Sequence, residues 1–227
     1  MHSTPNPEDL IQHLQASPFF SSLDSVALHA LAGHAAWQAY AAGEVIFLEG
    51  DASAGLYYLQ SGWLKVVKTS PDGREQVLQF LGPGEIFSAI SVFTHRPNPA
   101  TAIALEPAGI WLLRREAMAR LVRERPALAQ QVIEDMADRM VRLVELVEDL
   151  SLRSVTGRLA RMVLDGATND VLHRPRWYTQ TELAGRLGTV PDVVQRALGS
   201  LAAAGLIQVE RQLIRIQDRA ALERLAE

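Results

Sequence analysis

Thr179-Gln180-Thr181-Glu182-Leu183-Ala184-Gly185-Arg186-Leu187-Gly188-Thr189-Val190-Pro191-Asp192-Val193-Val194-Gln195-Arg196 is the stretch from which the rest of the chain is read outward. Thr179 and Glu182 stand three apart as a capping box, the hydroxyl taking the amide three residues on and the carboxylate reaching back. A helix is therefore predicted from Gln180, with Leu183, Ala184 and Leu187 on one face. It should stop at Gly188, whose missing Cβ suits a left-handed C-terminal residue. Thr189-Val190-Pro191-Asp192 repeats the capping logic, with proline early in the first turn where its missing N–H costs nothing. The second helix runs to about Ala204 and ends at Gly205. Leu206-Ile207-Gln208-Val209 and Leu213-Ile214-Arg215-Ile216 alternate around a short polar turn, the pattern of a hairpin. Helix, glycine turn, helix and hairpin make a winged helix-turn-helix, a motif whose second helix enters the DNA major groove.

The chemistry of that second helix fits the expectation. Asp192, Gln195, Arg196 and Gly199 recur at i, i+3, i+4 and i+7, opposite Val193, Val194, Ala197, Leu198 and Leu201. Arg196 can donate two hydrogen bonds to guanine O6 and N7, and Asp192 can accept from a cytosine amino group or orient the arginine. Thr179, Gln180 and Thr181, with free amides at a helix start, suit phosphate contacts; Thr189, ahead of the second helix, is a further DNA-binding candidate. Arg211 and Gln212, at the hairpin tip, are placed to reach a neighbouring phosphate. An Asp/Arg pair one turn apart is by itself an ordinary solvated helix face. The weight comes from two capping signals, a glycine turn, a hairpin and local positive charge falling together.

Upstream, Pro126 opens a run without Gly or Pro until Gly157. Within it Ile133, Met136, Met140, Leu143, Val147 and Leu150 are spaced 3, 4, 3, 4, 3, a heptad seam that predicts a homodimer helix. Val132, Val144 and Leu146 flank it and predict that the same helix also packs sideways on its own domain. Before Arg115 the pattern is of short runs punctuated by turns: Glu44-Val45-Ile46-Phe47, Leu56-Tyr57-Tyr58-Leu59, Trp63-Leu64-Lys65-Val66-Val67, Gln76-Val77-Leu78-Gln79-Phe80, Thr101-Ala102-Ile103-Ala104-Leu105 and Ile110-Trp111-Leu112-Leu113. These read as strands of a sandwich or jelly-roll barrel, preceded by helices over Pro7 to Gln15 and around Leu23 to Gly33. The expected class is α+β: an N-terminal β jelly-roll sensor barrel with leading helices over 1–118, a dimerisation helix region over 119–150 and a winged helix-turn-helix over 151–227.

Charge divides along the same lines. Residues 1 to 150 carry 11 Lys and Arg against 18 Asp and Glu, a net of −7, whereas residues 151 to 227 carry 11 against 8, a net of +3. Only the C-terminal third suits a polyanion. The 227 residues contain no Cys, which excludes disulfide scaffolds, thiolate zinc sites, Cys-ligated iron-sulfur clusters and cysteine nucleophiles. The N-terminus lacks the pattern of a signal peptide and no apolar run reaches membrane-spanning length, so the expected location is cytoplasmic with no membrane partner. No Ser/His/Asp grouping, phosphate-cradling loop or cupin-type His pair stands in the barrel region, so no enzyme is expected.

Over essentially its full length the chain resembles the CRP/FNR family of bacterial transcription regulators. The resemblance rests on Leu56-Tyr57-Tyr58-Leu59-Gln60-Ser61-Gly62-Trp63-Leu64-Lys65-Val66, on Gly82-Pro83-Gly84-Glu85-Ile86-Phe87 and on Pro99-Ala100-Thr101-Ala102. It rests also on Val155-Thr156-Gly157-Arg158-Leu159-Ala160 and on Thr179-Gln180-Thr181-Glu182-Leu183-Ala184. It implies a cyclic-nucleotide-binding-like sensor barrel, a dimer, double-stranded DNA bound as an inverted repeat, RNA polymerase as a partner and a role as activator. Effector-pocket candidates are Phe87, Ser88, Ala89, Pro99, Ala100 and Thr101.

Departures from the family pattern narrow the effector. A cyclic-nucleotide cassette of this family carries Gly-Glu for the ribose hydroxyl and later Arg-Ser for the cyclic phosphate; here those places read Ser88-Ala89 and Pro99-Ala100. Without the carboxylate and the cation the charge-assisted hydrogen bonds are lost, which argues against cyclic AMP. The pattern is more similar to the nitrogen-oxide-responsive branch, some members of which use haem. Haem needs an axial ligand, for which His29, His34 and His95 are the candidates, with His2, His13 and His173 less well placed. The remaining alternatives are a constitutive regulator with no ligand, and a nucleotide-responsive signalling adaptor with a protein-binding wing. In the recognition helix Pro191 stands where relatives often carry a DNA-contacting polar or basic residue and Val190 replaces the usual Ser, so base preference is expected to differ from the family's common half-site.

Overall fold

The computed structural model describes residues 5–94 and 96–226. They fall into two compact units: one runs to Lys68 and resumes over Gln79–Val141, and the other takes Thr69–Leu78 and continues from Arg142.

The first unit begins with α1 (Pro7–Ala16), a short 3-10 turn (Pro18–Phe20) and α2 (Ser25–Ala32). Asn6 and Asp24 cap the two helices by accepting the amides of Glu8 and Ala27. Strands follow as β1 (Ala36–Tyr40), β2 (Val45–Phe47), β3 (Gly55–Ser61), β4 (Leu64–Thr69), β5 (Glu75–Leu81) and β6 (Ile86–Phe87), then α3 (Ala89–Thr94), β7 (Thr101–Ala104) and β8 (Ala108–Arg114). One sheet has the order β1-β8-β3-β6 and the other β2-β7-β4-β5. This two-sheet architecture is the expected jelly roll, and the strand pairings β1·β8, β3·β8, β3·β6, β2·β7 and β4·β7 are antiparallel.

Strand β3 shows why this layout forms. Its side chains alternate: Tyr57 and Leu59 join the cluster with Leu64, Leu81, Phe87, Ala104 and Ile110, while Leu56 and Tyr58 join a second cluster with Leu10, Leu14, Phe20, Leu28 and Met118. A strand buried on both faces reads as a continuous apolar run, and Leu56-Tyr57-Tyr58-Leu59 is such a run. Helices α1 and α2 therefore form the outer layer over one sheet, together with α4 (Arg115–Glu124) and the start of α5 (Pro126–Leu152), whose Leu128 and Val132 are buried in the same cluster. Strand β1 was not foreseen. Its Ala-rich sequence lacks β-branched residues, and pairing of Trp37 with Trp111 on β8 makes it a strand.

The second unit contains α6 (Val155–Gly166), β9 (Val171–His173), α7 (Gln180–Leu187), α8 (Pro191–Ala203), β10 (Ile207–Val209), β11 (Leu213–Ile216) and α9 (Arg219–Ala226). Leu159, Val163, Leu183, Leu187, Val194, Leu198, Leu201, Ile207, Ile214 and Leu222 make one core. The expected hairpin is β10 and β11, extended to three strands by β9, with Leu213 opposite His173. The three residues of β9 sit in a polar loop and carry no periodicity of their own, so only pairing exposes them.

One local expectation is corrected. Thr179 does cap α7, accepting the Glu182 amide at 3.3 Å, and Gly188 closes that helix at φ 62°. Thr189 caps nothing: the N-cap of α8 is Val190, with no side-chain hydrogen bond. Pro191 takes the first helical position, so the residue directly before it must be the cap, and the Thr189 amide is already committed to the Ala184 carbonyl at 3.0 Å.

Candidate nucleic-acid interface and sensor cassette

Helix α8 divides cleanly into two faces. Val194, Ala197, Leu198 and Leu201 are buried, whereas Pro191, Asp192, Gln195, Arg196, Gly199 and Ser200 are exposed. The apolar positions hold the helix on the core, so the polar ones are presented along a single stripe. Among the described residues Arg196 has no ion-pair partner, and it is not bridged to Asp192 one turn away. Its planar fork is thus available for a bidentate acceptor. A Cβ at Gly199 would meet nothing, so another chain can approach the helix closely there.

Thr179, Gln180 and Thr181 are exposed at the start of α7, where the first amides are oriented outward at the positive end of the helix dipole. Thr189 is half-buried in the turn between the two helices. Arg211 and Gln212 are exposed at the hairpin tip, and the Gln212 carbonyl is anchored by the Arg174 amide at 2.7 Å. By contrast Arg215 is paired with Glu210, and Arg219 with Asp170 and Glu223. These arginines spend their charge within the unit, while Arg196 and Arg211 do not.

In the first unit the cassette residues take different roles. Phe87 is buried between the sheets, stacked on Tyr57 with ring centroids 5.1 Å apart. Ala89 and Ala100 are buried, Pro99 is exposed, and Thr101 accepts the Glu49 amide at 3.0 Å. Ser88 adopts φ 66°, and its hydroxyl lies 3.1 Å from Asn98 Oδ1 and 3.2 Å from Ser53 Oγ. Asn98 is buried, its backbone bonded to Asp51 and Gly50, and its Nδ2 has no partner among the described residues. Ser53 and Asn98 were missed from sequence; the flanking prolines of Pro97-Asn98-Pro99 were the one available signal. Lys68, a cation beside Pro99, pairs with Glu49 and donates to the Pro99 carbonyl. The cassette is thus lined by neutral hydroxyl and amide groups, with Lys68 already engaged.

Among the described residues no histidine is placed as a buried haem ligand. His29 and His34 are exposed on or just after α2, and each Nδ1 lies within 2.8 Å of a carbonyl of its own segment, Ser25 or Ala30. His13 and His173 are also exposed. His2 and His95 lie outside the described residues.

Along α5, Ile133, Met140, Val141, Leu143, Val144 and Val147 are exposed apolar residues. Met136 is half-buried against the sensor core, and Leu150 is half-buried with its Cδ2 2.6 Å from where a Gly188 Cβ would stand. Over two turns a straight helix drifts relative to a strict heptad. The open stripe therefore passes through Ile133, Met140, Val144 and Val147, with Met136 and Leu150 rotated to its edge.

Comparison with known proteins agrees with this layout. Residues 37–125 match the cyclic nucleotide-binding domain and residues 157–225 the Crp-like helix-turn-helix domain. A CRP-like cAMP-activated global transcriptional regulator of Mycobacterium tuberculosis is 30% identical over 193 residues, covering 81% of this chain and 85% of the relative. A cyclic AMP receptor protein of Thermus thermophilus is 27% identical over 219 residues, covering 94% and 98%. The structure of FixK2 from Bradyrhizobium japonicum superposes with a TM-score of 0.75 over 85% of this chain and 98% of that one; at 20% identity the likeness is one of fold. With a nucleotide-type sensor barrel, a long helix and a winged helix-turn-helix in this order, the chain belongs to the CRP/FNR family of DNA-binding transcription regulators.

Proposed function

We propose that this regulator acts as a homodimer that reads an inverted DNA repeat with α8, under the control of an effector other than cyclic AMP. The observation that carries the DNA reading is Arg196, exposed and without an ion-pair partner among the described residues, on the polar stripe that also carries Asp192, Gln195 and Gly199. The exposed stripe of α5 supports the dimer: left bare, Ile133, Met140, Val144 and Val147 form a contiguous apolar strip of the kind that marks an interface. The functional divisions 1–118, 119–150 and 151–227 follow from these roles. RNA polymerase is the expected protein partner and the cytoplasm the expected location; no helix among the described residues is long and apolar enough to cross a membrane.

For the effector, the cassette chemistry supports this reading. A cyclic nucleotide presents a phosphate anion and a ribose hydroxyl, and Ser88, Ala89, Pro99 and Ala100 offer neither cation nor carboxylate. A place beside the nitrogen-oxide-responsive branch is compatible with this, though without haem ligation by the exposed His29 or His34. A ligand-independent regulator is the second reading, favoured by the Ser53–Ser88–Asn98 contacts that tie the cassette to itself. Selection of duplexes from a random library, with and without cyclic AMP, tests the proposal. The expected result is one inverted repeat enriched equally in both. Enrichment only with cyclic AMP overturns the effector reading, and an unpaired half-site overturns the dimer.

A further inference from the structure

Helix α8 begins at a residue that gives up a polar cap. Asn6, Asp24, Ser154 and Thr179 each accept an amide of their own helix through a side-chain oxygen; Arg114 at the start of α4 and Val190 do not, and of these two only Val190 is aliphatic. An aliphatic N-cap is among the least favourable choices for helix stability. Packing does not compensate for it: Val194 is fully buried and Val193 half-buried, but Val190 is 45% exposed. A local rule broken without a structural gain is a mark of function.

The position narrows what that function is. Val190 is extended at φ −116° and ψ 155°, next to exposed Pro191 and Asp192 and at the same end of α8 that leads to Arg196. This end is poorly made for phosphate. Pro191 has no N–H to donate, the Thr189 amide is taken by Ala184, and Asp192 adds negative charge. What it offers a partner is methyl groups. In the major groove one of the four bases, thymine, presents a methyl group, at C5.

We infer that Val190 is a specificity-determining residue that reads the C5-methyl of a thymine near the base pair contacted by Arg196. The inference rests on α8 being the reading helix. It assigns methyl-dependent recognition, which a Ser or Thr cap with its hydroxyl turned to the backbone amide would not provide in the same form.

The test uses the full-length protein and the duplex enriched by binding selection, with each thymine of a half-site replaced singly by deoxyuridine, which lacks only the methyl. For the wild type, one replacement should weaken binding about fourfold, the worth of one methyl removed from water. In Val190→Ala that replacement should cost nothing, while the effect of mutating the guanine read by Arg196 persists. Val190→Ser supplies the missing cap, so its helix is not weakened; it should also be indifferent to the methyl. 5-Methylcytosine at the same place should restore part of the wild-type preference. Deoxyuridine tolerated at every position by the wild type, or a uridine penalty that survives in Val190→Ala, overturns the inference. A selection in which Arg196→Ala leaves every base preference intact instead removes the reading helix itself, and this inference with it.

Discussion

Ser88 and Asn98 are joined across the sensor cassette, with 3.1 Å between the serine hydroxyl and the asparagine side-chain oxygen, so the residue just before α3 is tied to the segment that leads into β7. Ser88 holds this contact from φ 66°, a conformation few non-glycine residues adopt. Ser88→Ala keeps the strain and removes the partner of a buried amide, which should cost about 1–3 kcal/mol. Ser88→Gly relieves the strain and should cost less. Urea unfolding of the two variants checks the order, and equal losses would mean that the backbone conformation carries no strain.

On α5, Met140 and Val144 lie side by side on the open stripe and are both exposed in the single chain. Replacing both with Glu leaves the folded protomer intact but would place like charges against each other in the interface, and should yield monomers in sedimentation. Met136→Glu, at a residue packed on the sensor core, should instead lower stability.

In the winged unit, Arg196→Ala should cost about 1–3 kcal/mol for each half-site and relax preference at one base pair. Arg211→Ala should weaken all sequences alike and reduce the salt dependence of binding by about one counterion for each wing. Binding selections on both variants, repeated at two salt concentrations, separate base reading from phosphate contact.

Burial, with smaller contributions from Tyr40 and Asp51, pushes the Tyr57 phenol up to about 12 from its ordinary 10.0. The fold therefore favours the neutral phenol. That stabilisation is complete below the unfolded-state value and is lost as pH rises from there through the folded-state value. Thermal stability should fall steeply above about pH 10, where the unfolded chain begins to ionise. Tyr57→Phe should shift that fall to higher pH, as followed by circular dichroism.

Much of this architecture follows from local chemistry. Thr179 and Gly188 bound α7 because a hydroxyl cap and a left-handed glycine are properties of those residues. The stripe of Asp192, Gln195, Arg196 and Gly199 is exposed because the valines and leucines between them are buried, as helical spacing requires. The run Leu56-Tyr57-Tyr58-Leu59 likewise reads as a strand, and the fold then covers it on both faces. The three-dimensional fold decided what spacing leaves open. It turned Val190 rather than Thr189 into the cap of α8, since where a helix starts depends on which amides neighbouring turns have already claimed. It rotated Met136 and Leu150 off the open face of α5 and brought Val144 onto it, because a seam is defined by what each side chain packs against. It also joined Ser53, Ser88 and Asn98, residues distant in sequence whose polar groups find each other only when the sheets close.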